Sequence, residues 1–241
     1  MDTYDLQARH LPTVLAVLPM LLVAVLLVPD ASTTFALPAT LAGSVGVAIY
    51  VFLVRYARMK GREIEAGLFE QWGGQPTTAM LRHQDTRVNQ HTKARYHDAL
   101  RAFGPAFEIP TADEEQANPS AADSLYETAI DEARRRAKIT GVKGVRRENI
   151  AYGFCRNLLA LKPTALSISL ISLSSYACAT LALADWKFAE LSTANNFGFL
   201  VLVLITVGWL FMVRSDLVRH HADAYAQALL ETLEPMPPSA G

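Results

Sequence analysis

The chain has 241 residues, 51% of them hydrophobic and 19% charged, with a mean hydropathy of +0.18. That is too apolar for an ordinary water-soluble enzyme, and a net charge of −1 from 22 basic and 23 acidic residues excludes a chain that is polybasic or acidic throughout. Two cysteines, Cys155 and Cys178, exclude a secreted disulfide scaffold.

Asp, Glu, Lys and Arg are absent from 10–29, 31–54, 163–184 and 191–213. A bilayer core needs roughly 20 apolar helical residues, because lipid offers the backbone no hydrogen-bond partner. Each stretch is long enough to span. Four buried helices of a large soluble protein are the alternative, but such helices are shorter and carry a polar face. The first stretch is not read as a signal peptide. Asp2 and Asp5 dilute its basic start and no small-x-small site follows Pro29, so an uncleaved helix is expected.

The positive charges set the orientation. Residues 55–162 carry 18 of the 22 basic side chains and 14 of the 23 acidic ones. Arg55, Arg58, Lys60 and Arg62 follow the second stretch, Arg156 and Lys162 precede the third, and Arg214 and Arg219 follow the fourth. Basic flanks stay in the cytoplasm, so both termini and the middle segment are expected there, with two short loops outside. The expected fold is all-α, a four-helix transmembrane protein with a helical cytoplasmic domain inserted between the second and third spans. Residues 1–54 hold the first pair of spans (about 11–29 and 36–55), and 55–162 the basic helical domain. Residues 163–213 hold the second pair (about 164–184 and 196–213), and 214–241 a C-terminal helix and tail. Trp186 and Trp209 are placed near the outer and inner interfaces.

Within the middle segment, the second span is expected to continue as a helix to Phe69, ended by the turn Trp72-Gly73-Gly74 before Pro76 starts another. From 80 to 103 a helix is expected, with Leu81, Val88, Thr92, Tyr96 and Phe103 on one face and Asp85 intruding as a buried carboxylate paired with an arginine or an amide. Segment 104–119 reads as a loop. Ser120 with Asp123 reads as a capping box for the next helix, which Gly141 stops. An amphipathic helix over 149–161, broken by Pro163, should lie at the membrane surface. Val218, Ala222, Tyr225 and Leu229 form the stripe of a last helix.

The chemistry-bearing candidates are few. His83, His91 and His97 fall at intervals that do not stack on one helix face, and His220-His221 should point apart, so solvated or weakly interacting histidines and no metal site are expected. No nucleophile elbow, Walker sequence, dinucleotide fingerprint or zinc-protease motif occurs; no catalytic residues and no cofactor are expected. Gly73, Gly74, Thr77 and Thr78 form a turn whose amides and hydroxyls suit a phosphate, but the lysine of a P-loop is missing, which favours a simple capped turn with Trp72 anchored at the headgroups. Arg82, Arg87, Lys93, Arg95 and Arg101 on one helix, with Arg134, Arg135, Arg136 and Lys138 on another, suit either an anionic ligand or anionic membrane lipid. In the third span Ser167, Ser174, Ser175 and Cys178 belong to a set of small polar residues covering over half the helix, suited to a pore or to helix packing. Four spans enclose no comfortable pathway, so conduction requires a homo-oligomer.

The runs Trp72-Gly73-Gly74-Gln75-Pro76-Thr77-Thr78 with Leu81-Arg82-His83, and Glu148-Asn149-Ile150-Ala151-Tyr152-Gly153-Phe154-Cys155-Arg156-Asn157, resemble those of a bacterial family of small four-span proteins. The chain also resembles the membrane effectors of nucleotide-signal antiphage defence, such as the channel-forming effector of Hailong. That resemblance implies a tetrameric channel in the bacterial inner membrane, with a nucleotide or short oligonucleotide bound to its cytoplasmic part. It also implies a nucleotidyltransferase partner that makes this ligand, and depolarisation of an infected cell. It assigns no individual contact residues. A non-conducting anchor that recruits a cytoplasmic protein is the competing expectation. A membrane-embedded enzyme is a third, with Asp85, His83 and His91 its first residues to mutate.

Overall fold

A computed structural model describes residues 6–27 and 36–234 and, for 36–45 and Glu190, the backbone alone. Every regular element among the described residues is helical. After a π-helical turn, Leu6–His10, the helices are α1 (Leu11–Leu27), α2 (Ala36–Trp72), α3 (Pro76–Ala79), α4 (Gln90–Arg101), α5 (Ala112–Ala117), α6 (Pro119–Thr140), α7 (Lys143–Leu183), α8 (Thr193–Phe211) and α9 (Ser215–Glu231). The chain divides into two compact units, Met1–Ile64 with Gly153–Leu217, and Glu65–Tyr152 with Val218–Gly241.

Among the described residues three helical stretches are long and apolar enough to cross a membrane: Leu6–Leu27, Lys143–Leu183 and Thr193–Phe211. Between 17% and 28% of their most apolar windows is buried within the chain, so most of that apolar surface must meet lipid or other molecules. The expected second span, about 36–55, is helical as part of α2, but half of its side chains and the loop before it lie outside the described residues.

In the first unit Ala16, Ala57, Leu158, Leu161, Ala165, Trp209 and Val213 form the apolar core. Trp209 is therefore buried in protein, whereas Trp186 is exposed. Trp186 and Asp185 adopt left-handed φ values of 64° and 48°, forming the tight turn that leads from α7 toward α8. Lys162 Nζ donates to the carbonyls of Leu210 (2.9 Å) and Val213 (2.8 Å), placing a cation on the open carbonyls at the end of α8. Asn157 Nδ2 donates to the Ala8 carbonyl at 2.7 Å, tying the π-helical turn to α7.

Pro163 does not break its helix. α7 runs unbroken for 41 residues through it, so the separate surface helix expected over 149–161 is the first half of one long rod. Proline deletes a single amide donor and crowds the preceding turn; a helix packed on both sides of that point, by Leu158, Leu161 and Ala165, retains its course.

In the second unit Met80, Leu81, Tyr96, Leu100, Tyr126, Ile130, Leu229 and Leu230 are central to the core. Gly141, at φ 66°, ends α6 as its spacing predicts. Two local expectations are corrected. Residues 80–89 form turns rather than helix: the Asp85 carboxylate accepts from the Arg87 amide, and Asn89 caps α4 by accepting from the His91 amide. Such side-chain bonds compete with helical backbone bonding. The α6 cap is Asn118, with Pro119 in the first turn, not Ser120 with Asp123. The capping box lies at Thr111 and Glu114, where it starts α5 inside the expected loop.

Candidate anion-binding surface

The second unit holds all nine cations singled out for an anionic ligand, most of them already engaged. Arg82 makes a bidentate pair with Asp123 (2.8 and 2.7 Å) and its third nitrogen donates to the Gly73 carbonyl at 2.7 Å. Arg87 grips Asp85 at 2.7 Å and reaches Asp223 of α9 at 2.9 Å. Arg95 reaches Glu234, just beyond α9, at 2.6 Å. Arg101, Arg134 and Arg135 pair with Asp98, Asp131 and Glu132 one turn back on their own helices. Arg136 shares Glu132 and lies 3.9 Å above the Phe103 ring. Hydrogen bonds from Arg135 and Arg136 hold the Glu132 carboxyl down to about 2. Lys138 is exposed.

The nine cations are thus not two parallel helical rows. Arg82 and Arg87 sit in turns, and Lys93 is buried, its Nζ donating to the carbonyls of Arg82 and Asp85. Burial lowers the Lys93 ammonium below its ordinary value, with Asp85 and Glu115 opposing the shift. Lys93 therefore pins the 82–85 turn. Asp85 is half-buried and paired with an arginine, but in a turn; burial would raise its carboxyl, and the bonds from Arg87 outweigh this and lower it.

A groove of about 410 Å³ runs between α4, α6 and the end of α9, lined by Ala99, Phe103, Ala133, Arg136, Leu233 and Glu234. Phe103 offers an aromatic face and Arg136 a cation, while the Glu234 carboxylate occupies Arg95 beside them. A larger cleft of about 720 Å³ lies around Phe107, Ile109 and Leu125, with Arg101 set among Glu108 and Glu114. Its acidic residues outnumber its cation, so it does not suit an anion.

The glycine turn closes a helix end. Gly73 and Gly74, at φ 79° and 129°, donate to the Glu70 and Phe69 carbonyls and end α2. Thr77 and Thr78 are buried, and the Thr77 hydroxyl accepts from Arg134 at 3.0 Å. This geometry favours the helix-cap alternative over a phosphate cradle. Along α7, Ser167, Ser174, Ser175 and Cys178 share an exposed face, whereas Ser169, Ser172 and Thr180 are buried on the opposite one.

Sequence reasoning missed a buried polar network in the second unit. Buried Glu115 accepts from the His83 amide (2.9 Å) and the Tyr126 hydroxyl (2.8 Å). His97 is buried rather than solvated: it stacks on Tyr126, meets His83 edge-on at 4.9 Å and donates to the Leu81 carbonyl at 2.8 Å. Burial pushes its imidazole down to about 4. The rings of His220 and His221 meet at 5.3 Å rather than pointing apart. Among the described residues no three His, Cys, Asp or Glu converge as metal ligands.

No protein-family model matches the chain, and neither a curated protein nor a solved structure is significantly similar to it.

Proposed function

We propose that the protein is a homo-oligomeric channel-type effector of the bacterial inner membrane, gated by an anionic nucleotide or short oligonucleotide on its cytoplasmic unit. α2 supplies a fourth crossing, both termini are cytoplasmic, and depolarisation of an infected cell is the output. The tetramer and the nucleotidyltransferase that makes the ligand follow from the resemblance to antiphage effectors. The observation that carries the ligand reading is the groove in which the Arg136 guanidinium, laid over the Phe103 ring, offers a stacking plane and hydrogen-bond donors, with Arg95 at its edge. Bases stack on guanidinium planes and phosphates take arginine nitrogens. The channel reading draws on largely unburied apolar helices and on the exposed Ser167, Ser174, Ser175 and Cys178 of α7, interspersed with exposed Leu170 and Ile171.

The test is ion flux from liposomes holding the purified protein, with and without short single-stranded oligonucleotides. A ligand-dependent change in flux is expected, and Arg95→Glu with Arg136→Glu should abolish it while membrane insertion persists. An absence of flux in every ligand state overturns the channel.

A second reading has one observation in its favour. Eight of the nine singled-out cations already bond carboxylates or backbone carbonyls, which suits an anchor whose cytoplasmic unit is a preformed scaffold for a protein partner. Recovery of a stoichiometric protein partner together with ligand-independent, flux-free liposomes would select it.

A further inference from the structure

Most arginines of the second unit pair with carboxylates on their own helix, as Arg101, Arg134, Arg135 and Arg136 do at three or four residues' spacing. Arg87 and Arg95 do something else. Each reaches across more than 130 residues of sequence to a carboxylate of the C-terminal segment, Arg87 to Asp223 and Arg95 to Glu234. Glu234 also forms part of the groove wall beside Arg136 and Phe103.

We infer that Asp223 and Glu234 are intramolecular stand-ins for the anionic ligand, holding its arginines until it arrives. This rests on the ligand reading proposed above and states how that site is regulated. The chemistry permits the exchange. The Arg95–Glu234 pair is 62% and 38% exposed, so water already screens it and both groups can resolvate when parted. Arg87 keeps its bidentate hold on Asp85 when Asp223 leaves, so no cation is orphaned in either state. A terminal phosphate monoester carries more charge and more acceptor oxygens than a carboxylate and takes the same guanidinium nitrogens.

Ligand binding therefore removes two ties on α9. The helix stays seated by Val218, Ala222, Ala226, Leu229 and Leu230, all buried, so its end loosens and it does not detach. α9 begins a few residues after α8 ends, and the loosened part is its far, C-terminal end. Because coupling between two events is reciprocal, whatever the ligand does to α9, freeing α9 does to the ligand: removing the stand-ins must tighten binding.

The experiment uses the full chain in lipid nanodiscs, with inorganic tripolyphosphate as the probe, binding read by calorimetry and α9 by amide hydrogen exchange. For the unaltered protein, tripolyphosphate should speed exchange over 231–234, beyond the seated Leu229 and Leu230. Asp223→Asn with Glu234→Gln should bind the probe tighter, by about fivefold or more, and exchange rapidly over 231–234 without it. Glu234→Gln alone, at a solvent-facing position, should shift both readouts the same way if the double variant fails to fold. Asp98→Asn removes an equal charge from the partner of Arg101 within α4 and should leave α9 exchange unchanged. Binding without any change in α9, or equal tightening by Asp98→Asn, overturns the stand-in inference and leaves the ligand reading intact. No binding to any of these proteins overturns both.

Discussion

At the scale of single residues, the buried histidine of the second unit makes stability depend on pH. His97 has its pKa lowered from 6.5 to about 4 by burial, against the opposing hydrogen bond to Leu81. The unfolded chain protonates near 6.5 and the folded one only near 4. Stability from the neutral imidazole is thus full above about 6.5 and declines as the pH falls from there toward about 4. Thermal melts of the full chain in detergent between pH 7 and 4.5 should show this decline, and His97→Gln should flatten it; an unchanged slope would refute the assignment. None of this was legible in the spacing of His83, His91 and His97, which suggested solvated side chains. The histidine environment is built by Tyr126 and Glu115, which come from α6 and α5. Contacts between residues distant in sequence leave no periodic signal. The same limit hid Asp123, Asp223 and Glu234 as partners of arginines that the sequence presented as an unopposed basic row.

At the scale of elements, the junction between α2 and α3 depends on two glycines. Gly74 sits at φ 129°, and a Cβ there would lie 2.6 Å from Arg82 Nη2. Gly74→Ala therefore strains the backbone and pushes on the guanidinium that binds Asp123 and the Gly73 carbonyl. A loss of about 1–3 kcal/mol is expected, to be read by chemical denaturation, whereas a neutral result would mean the turn relaxes freely. This turn was readable from Trp72-Gly73-Gly74-Pro76 spacing because glycine conformation and proline placement are local. So was the Gly141 stop. The course of α7 through Pro163 was not, since a proline's cost is offset by packing that sequence does not display. The helix expected over 80–103 failed for a related reason: its apolar spacing is genuine, with Leu81 and Tyr96 both in the core, but Asp85 and Asn89 redirect the backbone between them.

At the scale of the whole molecule, the uncharged runs announced the membrane character, because a lipid-facing helix must be apolar over its full length and sequence records length directly. Assembly is carried by surface, and one face of α7 tests it. Cys178 lies exposed on that face with Ser167, Ser174 and Ser175, while Cys155 is buried. If copies of the chain pack through this face, oxidation in membranes should trap a Cys178–Cys178 dimer that Cys178→Ser abolishes and Cys155→Ser does not. Monomers alone would move the contact elsewhere.

The core of the second unit draws Leu229 and Leu230, both fully buried, from a helix that follows the last span in sequence. A ribosome must therefore deliver both late hydrophobic helices to the bilayer before that core can close. Through that interval the nascent intermediate keeps an open apolar seat around Tyr126 and Ile130. A product that stalls short of 218 keeps that seat open, so only a chain with its last helix in place can complete the second unit.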